Sequence, residues 1–141
     1  FVSEESSRRM FHKTGTIEQI MKSYCTEYGI RLVVSSERKV IHDKEHAWNS
    51  VIYSADKDRF FHTEPYRSIS VVDRIGSGDA FDAGVLFGLL TNGEEHTMSL
   101  YGNAMAALKC TVAGDLPNID KVEVEHLISS HTGENNSEME R

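Results

Sequence analysis

Apolar residues first fall into register at Ile17, Ile20, Met21, Tyr24 and Tyr28, spaced by threes and fours, which predicts an amphipathic helix over residues 17–28. Thr16 followed three residues later by Gln19 supplies a capping box, and Gly29 ends the helix. The run Ile30-Arg31-Leu32-Val33-Val34 follows at once, rich in β-branched residues, as in the buried strand of a βαβ unit. Shorter strands are expected at 39–41, 49–54, 60–63 and 69–72, separated by charged turns, as a hairpin and an extended connection. A short helical piece, 4–12, precedes all of these. Past Asp73 the texture becomes helical, with a helix over about 79–90, a break at Asn92-Gly93, and a second helix over 97–110 whose small residues suit close packing. Residues 111–117 form a loop, 122–130 a final helix, and 131–141 a polar, flexible tail without core-forming residues. Helices alternating with strands across single glycines indicate an α/β fold.

Composition narrows the picture. With 141 residues, 39% of them hydrophobic, the chain has material for one core and little room for two. A net charge of −7 leaves no basic face to track a phosphate backbone, so nucleic acid is not an expected partner. The longest apolar stretch, 83–90, contains two glycines and falls far short of the roughly 18–20 residues of a membrane span. The first residues carry neither a basic nor an apolar export segment, and a cytoplasmic location is the default expectation. Cys25 and Cys110 are far apart and lie in partly apolar helical segments, so both read as buried free thiols. The chain opens on Phe1 directly before a helix and reads as a cut from something longer.

The stretch that carries chemistry is Asp73-Arg74-Ile75-Gly76-Ser77-Gly78-Asp79, where a strand passes through a glycine turn into a helix. Backbone N–H groups of a first helical turn lack intrahelical partners, and the helix dipole adds positive potential there. Asp79 puts an acceptor for a hydroxyl proton beside donors for a phosphoryl group, the two parts a small-molecule kinase needs. On spacing alone, a plain strand-to-helix turn with Asp79 as N-cap is the simpler reading. A P-loop is absent, and Phe81 three residues after Gly78 excludes the dinucleotide fingerprint.

The continuous segment Asp73-Arg74-Ile75-Gly76-Ser77-Gly78-Asp79-Ala80-Phe81-Asp82-Ala83-Gly84 resembles the C-terminal signature of the ribokinase-like (PfkB) carbohydrate kinases. Its Asp-Arg-Ile opening is similar to the variant found in 2-keto-3-deoxygluconate kinases. The alanine-rich Asn103-Ala104-Met105-Ala106-Ala107-Leu108 resembles the family's adenine-side helix, and Thr111-Val112-Ala113-Gly114-Asp115-Leu116-Pro117 its closing loop. The resemblance implies that residues 1–130 are the C-terminal, nucleotide-binding part of a three-layer α/β/α domain with a mainly parallel sheet. It implies Asp79 as catalytic base, Gly76, Ser77 and Gly78 as anion hole, and Asn103, Ala107 and Gly114 beside the nucleotide. Ser36 and Lys39 stand where the family carries glycines, with Ser36 the nucleotide-side candidate. ATP and Mg²⁺ are the implied cofactors. A monovalent cation such as K⁺ is implied among the carbonyls of Asp73, Ile75, Lys109, Val112 and Gly114. The family's Asn-x-x-Glu falls near Ser3-Glu4-Glu5-Ser6, where Ser3 and Ser6 take the motif positions and Glu5 is the nearest carboxylate to stand in. The implied activity is phosphorylation of a sugar or keto-deoxy sugar acid, with this chain a fragment inactive by itself; the alternative is a nucleotide- or partner-binding module without turnover. An open sheet edge favours self-association as a homo-oligomer.

His42-Asp43-Lys44-Glu45-His46 spells a zinc-peptidase pattern, which needs a helix to bring both imidazoles to one face. Val40-Ile41 reads as strand and Asp43-Lys44 as turn, so two histidines in a solvated hairpin are expected, without zinc. Trp48, Tyr53, Phe60 and Phe61 read as strand packing rather than a sugar platform. The acidic pairs Glu94-Glu95 and Glu123 with Glu125 read as solvated.

Overall fold

The computed structural model describes residues 1–139. Its elements in chain order are α1 (Glu4–Phe11), α2 (Ile17–Tyr28), β1 (Leu32–His42), β2 (Glu45–Ser54), β3 (Arg59–His62), β4 (Tyr66–Ser70), α3 (Ser77–Thr91), α4 (Glu95–Cys110) and α5 (Lys121–Met139). The capping box of α2 is formed as expected: the Thr16 hydroxyl accepts from the Gln19 amide, the Gln19 side chain accepts from the Thr16 amide, and Gly29 closes the helix at φ 66°. Ser3 caps α1 in the same manner, its hydroxyl accepting from the Ser6 amide.

Helices cover the sheet on both faces. Alternation along β1 and β2 sends Val33, Val51 and Tyr53 toward Ile20, Met21 and Tyr24 of α2. Val34, Trp48 and Ile52 go the other way, to Phe81 and Val85 of α3 and to Met98, Ala104 and Ala107 of α4. α5 closes this second core through Val124, with Leu127 and Ile128 packed beside it. Glycine brings α3 and α4 close, since a Cβ on Gly84 would stand 2.5 Å from the Tyr101 carbonyl oxygen.

The sheet corrects the expectation of mainly parallel strands. β2 is central and pairs antiparallel with β1 on one side and with β3 and β4 on the other. The reason is the connection: Asp43-Lys44 is a two-residue turn, and strands joined so tightly can only fold back antiparallel. Residues 32–34 of the first expected strand and the segment 39–41 are parts of one 11-residue strand, β1, disguised by the polar Ser35, Ser36, Glu37 and Arg38 between them, while Ile30 and Arg31 stay outside it. Parallel pairing is confined, among the described residues, to a bridge between Val2 and Ser35. α5 runs on through residue 139 of the stretch read as a tail, and residues 140 and 141 lie outside the described residues. Both thiols are buried and free. No helix is long and apolar enough to cross a membrane, among the described residues.

Candidate active site

The glycine turn that starts α3 is anchored from below before it reaches the helix. The amides of Val72 and Asp73 both donate to the carbonyl of Cys110, at 2.8 and 3.2 Å, tying the chain to the end of α4. The Asp73 carboxylate then spans two segments: one oxygen accepts from the Ile75 amide at 3.0 Å and the other from the Gly114 amide at 3.1 Å. The Ile75 amide, then the Gly114 amide and the charges of Lys109 and Arg74, hold this carboxyl below the usual carboxylate range against the burial that would raise it. Gly76 takes φ 80°, and a Cβ there would stand 2.9 Å from the Asp115 carbonyl carbon and closer still to its oxygen. Only glycine suits both conditions.

The first turn of α3 therefore packs directly against the 111–117 loop. Ala80 donates to the Gly76 carbonyl at 2.9 Å, and Ser77 donates back to the Arg74 carbonyl at 3.2 Å. The amides of Gly76, Gly78 and Asp79 have no backbone acceptor among the described residues, as expected at a helix start. Of the three expected anion-hole residues, Gly76 and Gly78 thus keep free donors, while Ser77 is buried with its amide engaged. Asp79 is exposed in this turn, and its side chain makes no hydrogen bond among the described residues.

A cleft of about 260 Å³ opens at this point, with Ser3, Ser36, Gly78, Asp79 and Asp82 in its walls. The structure thereby unites Ser36 with Gly78 and Asp79, although they lie more than forty positions apart in the chain. Asp82 was not singled out from the sequence; its spacing of three from Asp79 on a helix was the available signal. Burial pushes the Asp82 carboxyl up, and the neighbouring Asp79 adds to the rise. A larger hollow of about 490 Å³ lies over Val40, Trp48 and Arg67, but it holds no helix start, so chemistry rather than size selects the site.

Asn103 and Ala107 lie deeper, 1% and 4% exposed, and neither lines the cleft. The Asn103 amide donates to the Thr63 hydroxyl at 2.9 Å, and a chain of hydroxyls continues through Ser99 to Ser50 at 2.9 Å per step. The Asn103 carbonyl oxygen is buried without a partner among the described residues. Gly114, with φ 87°, joins the site through the hydrogen bond its amide donates to the Asp73 carboxylate. Of the carbonyls expected around a monovalent cation, those of Asp73 and Val112 accept from the ammonium of Lys109, at 3.0 and 3.1 Å. No cluster of three or more His, Cys, Asp or Glu stands ready for a metal among the described residues. Asp79 and Asp82 are the carboxyls in the walls of the cleft.

His42 and His46 fall on a strand, a turn and a strand, not on a helix. His42 pairs with Glu45 at 2.6 Å. His46 is not solvated as expected: it is 4% exposed, 3.3 Å from Arg38, and burial, then the charges of Arg38 and Arg74, lower its pKa. Glu95, expected in solvent, is likewise 5% exposed and pairs with Lys57 at 2.6 Å.

A family profile described as pfkB family carbohydrate kinase matches residues 42–121, more than half of the chain and the whole of the glycine turn. The chain belongs to this family. A 2-dehydro-3-deoxygalactonokinase of Haloferax volcanii is 42% identical to it over 65 residues, 46% of this chain and 20% of that protein. The crystal structure of 2-dehydro-3-deoxygluconokinase from Thermotoga maritima superposes with a TM-score of 0.81 over 90% of this chain and 40% of that one, at 22% identity. A PfkB family carbohydrate kinase from Listeria grayi gives 0.79 at 23% identity, over 90% of this chain and 40% of that one. The PfkB chain described here thus spans less than half the length of each relative, and its ribokinase-like α/β architecture is the part they share.

Proposed function

We propose that this chain carries the phosphoryl-transfer half of an ATP-dependent kinase acting on a hydroxyl of a keto-deoxy sugar acid or a related sugar. The observation that carries the reading is an exposed carboxylate, Asp79, in the same helical turn as acceptor-free amides, at the mouth of a cleft. The Gly76, Gly78 and Asp79 amides and the dipole of α3 stabilise charge on the transferring phosphoryl group. Asp79 accepts the proton of the sugar hydroxyl as its oxygen bonds to the γ-phosphorus and the bond to the β-phosphate oxygen breaks, leaving phosphosugar and ADP. Mg²⁺ brought with ATP supplies neutralisation of the β- and γ-phosphate charge. Asp73, through Ile75 and Gly114, keeps the turn and the loop above it in place. The substrate class is supported by the names of the relatives, which act on 2-dehydro-3-deoxy sugar acids.

The test is a coupled ADP-release assay, on the protein as the cell makes it, with 2-keto-3-deoxygluconate, 2-keto-3-deoxygalactonate, ribose and fructose. Asp79→Asn should lower turnover by roughly 10²–10⁴ while leaving the melting curve unchanged. Near-wild-type turnover of that variant removes Asp79 as base. Mg-ATP binding without ADP release on any sugar favours a binding module instead.

A further inference from the structure

Lys109 is the strongest unexplained feature of the molecule: a lysine in the last turn of α4 that is 0% exposed, with its side chain running under the glycine turn. Its ammonium donates to the carbonyl oxygens of Asp73 at 3.0 Å and Val112 at 3.1 Å. Its positive charge is one of the causes that lower the Asp73 carboxyl. Buried ammonium groups are costly unless fully hydrogen-bonded, so an arrangement of converging carbonyls is what must hold it. Converging carbonyl oxygens at a helix C-terminus also make a cage for a free monovalent cation. Here the cage is filled from within the chain. A second cation sharing the Asp73 and Val112 oxygens would stand within a few ångströms of the ammonium, where like charges repel strongly in a protein interior.

We propose that the Lys109 ammonium is the resident cation of this site, tethered covalently, and that the chain neither binds nor needs a free monovalent cation there. The K⁺ implied by family resemblance does not fit the side chain present. Asp73 is the hub of the consequence: its carbonyl receives Lys109, and its carboxylate receives Ile75 and Gly114. A charge that cannot dissociate therefore fixes the same residue that sets the geometry of the anion turn and its closing loop. The proposal takes from the kinase reading only the identity of the carbonyl set, and its readouts do not need turnover.

Thermal melts at constant ionic strength in KCl, NaCl and choline chloride, with ²⁰⁵Tl⁺ NMR as a direct binding probe, test it. The wild-type chain should melt within about 1 °C in all three salts and show no saturable Tl⁺ binding. Lys109→Ala empties the cage; its Tm in choline should fall on the order of 10 °C, and K⁺ or NH₄⁺ should restore part of the loss and Tl⁺ should now bind. Lys109→Met, which keeps the stem but not the charge, should fall similarly and not respond to K⁺. Specific K⁺ stabilisation or saturable Tl⁺ binding in the wild type overturns the proposal, and this arm stands even where Lys109→Ala does not fold. A folded Lys109→Ala indifferent to K⁺ overturns it too, leaving Lys109 as a packing and capping lysine. Failure of every sugar in the ADP-release assay would sink the kinase reading and leave these results untouched.

Discussion

Gly76 and Gly78, two residues apart in the same turn, should respond oppositely to alanine. At Gly76 the backbone is at φ 80°, where an L side chain costs about 1–2 kcal/mol. The new Cβ would also press on the Asp115 carbonyl, whose carbon would stand 2.9 Å away. Backbone cannot swing aside as a flexible side chain does, so overpacking adds about 1–3 kcal/mol. The expected loss for Gly76→Ala is therefore about 2–5 kcal/mol. At Gly78 a Cβ meets nothing within 4 Å and φ is ordinary, so Gly78→Ala should be neutral or gain up to about 1 kcal/mol of helix propensity. Its methyl would instead crowd the approach of a phosphate to the amides on either side. Urea unfolding followed by Trp48 fluorescence measures the first effect, since this single tryptophan is buried in the core against Phe81. Calorimetry with Mg²⁺ and a non-hydrolysable ATP analogue measures the second. Unfolding free energies for the two variants within about 0.5 kcal/mol of each other would refute the reading of this turn, because independent surface changes usually differ by no more than that.

Two further outcomes follow from burial. Tyr66 is 8% exposed and burial pushes its hydroxyl up to about 12, against 10.0 in the open chain. Below the lower value both states hold the proton; above it the unfolded state releases first, so stability should fall by about 1.4 kcal/mol per pH unit up to the folded value. Tyr66→Phe should flatten that part of the alkaline stability curve and leave stability at pH 7 nearly unchanged; an unaltered slope would contradict the assignment. Burial also raises both Cys25 and Cys110, so a disulfide-exchange reagent should titrate them slowly in the native chain and at once in denaturant. Rapid native labelling of Cys110 would show that the end of α4 opens.

What could be read from the sequence was what local chemistry decides. Thr16, Gln19 and Gly29 define α2 because a capping box and a left-handed glycine act within one turn. The glycine turn leading into α3 is legible for the same reason, although the helix begins at Ser77 with Gly76 as its cap, two residues before the expected start at Asp79. The strand order was not, because Ser35, Ser36, Glu37 and Arg38 break the apolar pattern of β1, and the hairpin at Asp43-Lys44 reverses the direction that a helix-strand repeat suggests. Burial of His46 and Glu95 depends on Arg38 and Lys57, partners on other parts of the chain. The resemblance points to the Lys109 carbonyl, whereas it is the ammonium that donates to the Asp73 and Val112 carbonyls; a lysine among Ala107, Leu108 and Cys110 at a helix end is the available signal.

In the proposed kinase a nucleotide's terminal phosphates meet the start of α3. Titrating the ¹⁵N-labelled chain with Mg²⁺ and a non-hydrolysable ATP analogue tests it amide by amide. Saturable shifts are expected at Gly76, Gly78 and Asp79, accompanied by Ser36 across the cleft and by Gly114 in the closing loop. Saturable shifts confined to other parts of the chain, with the Gly78 and Asp79 amides unmoved, would contradict it.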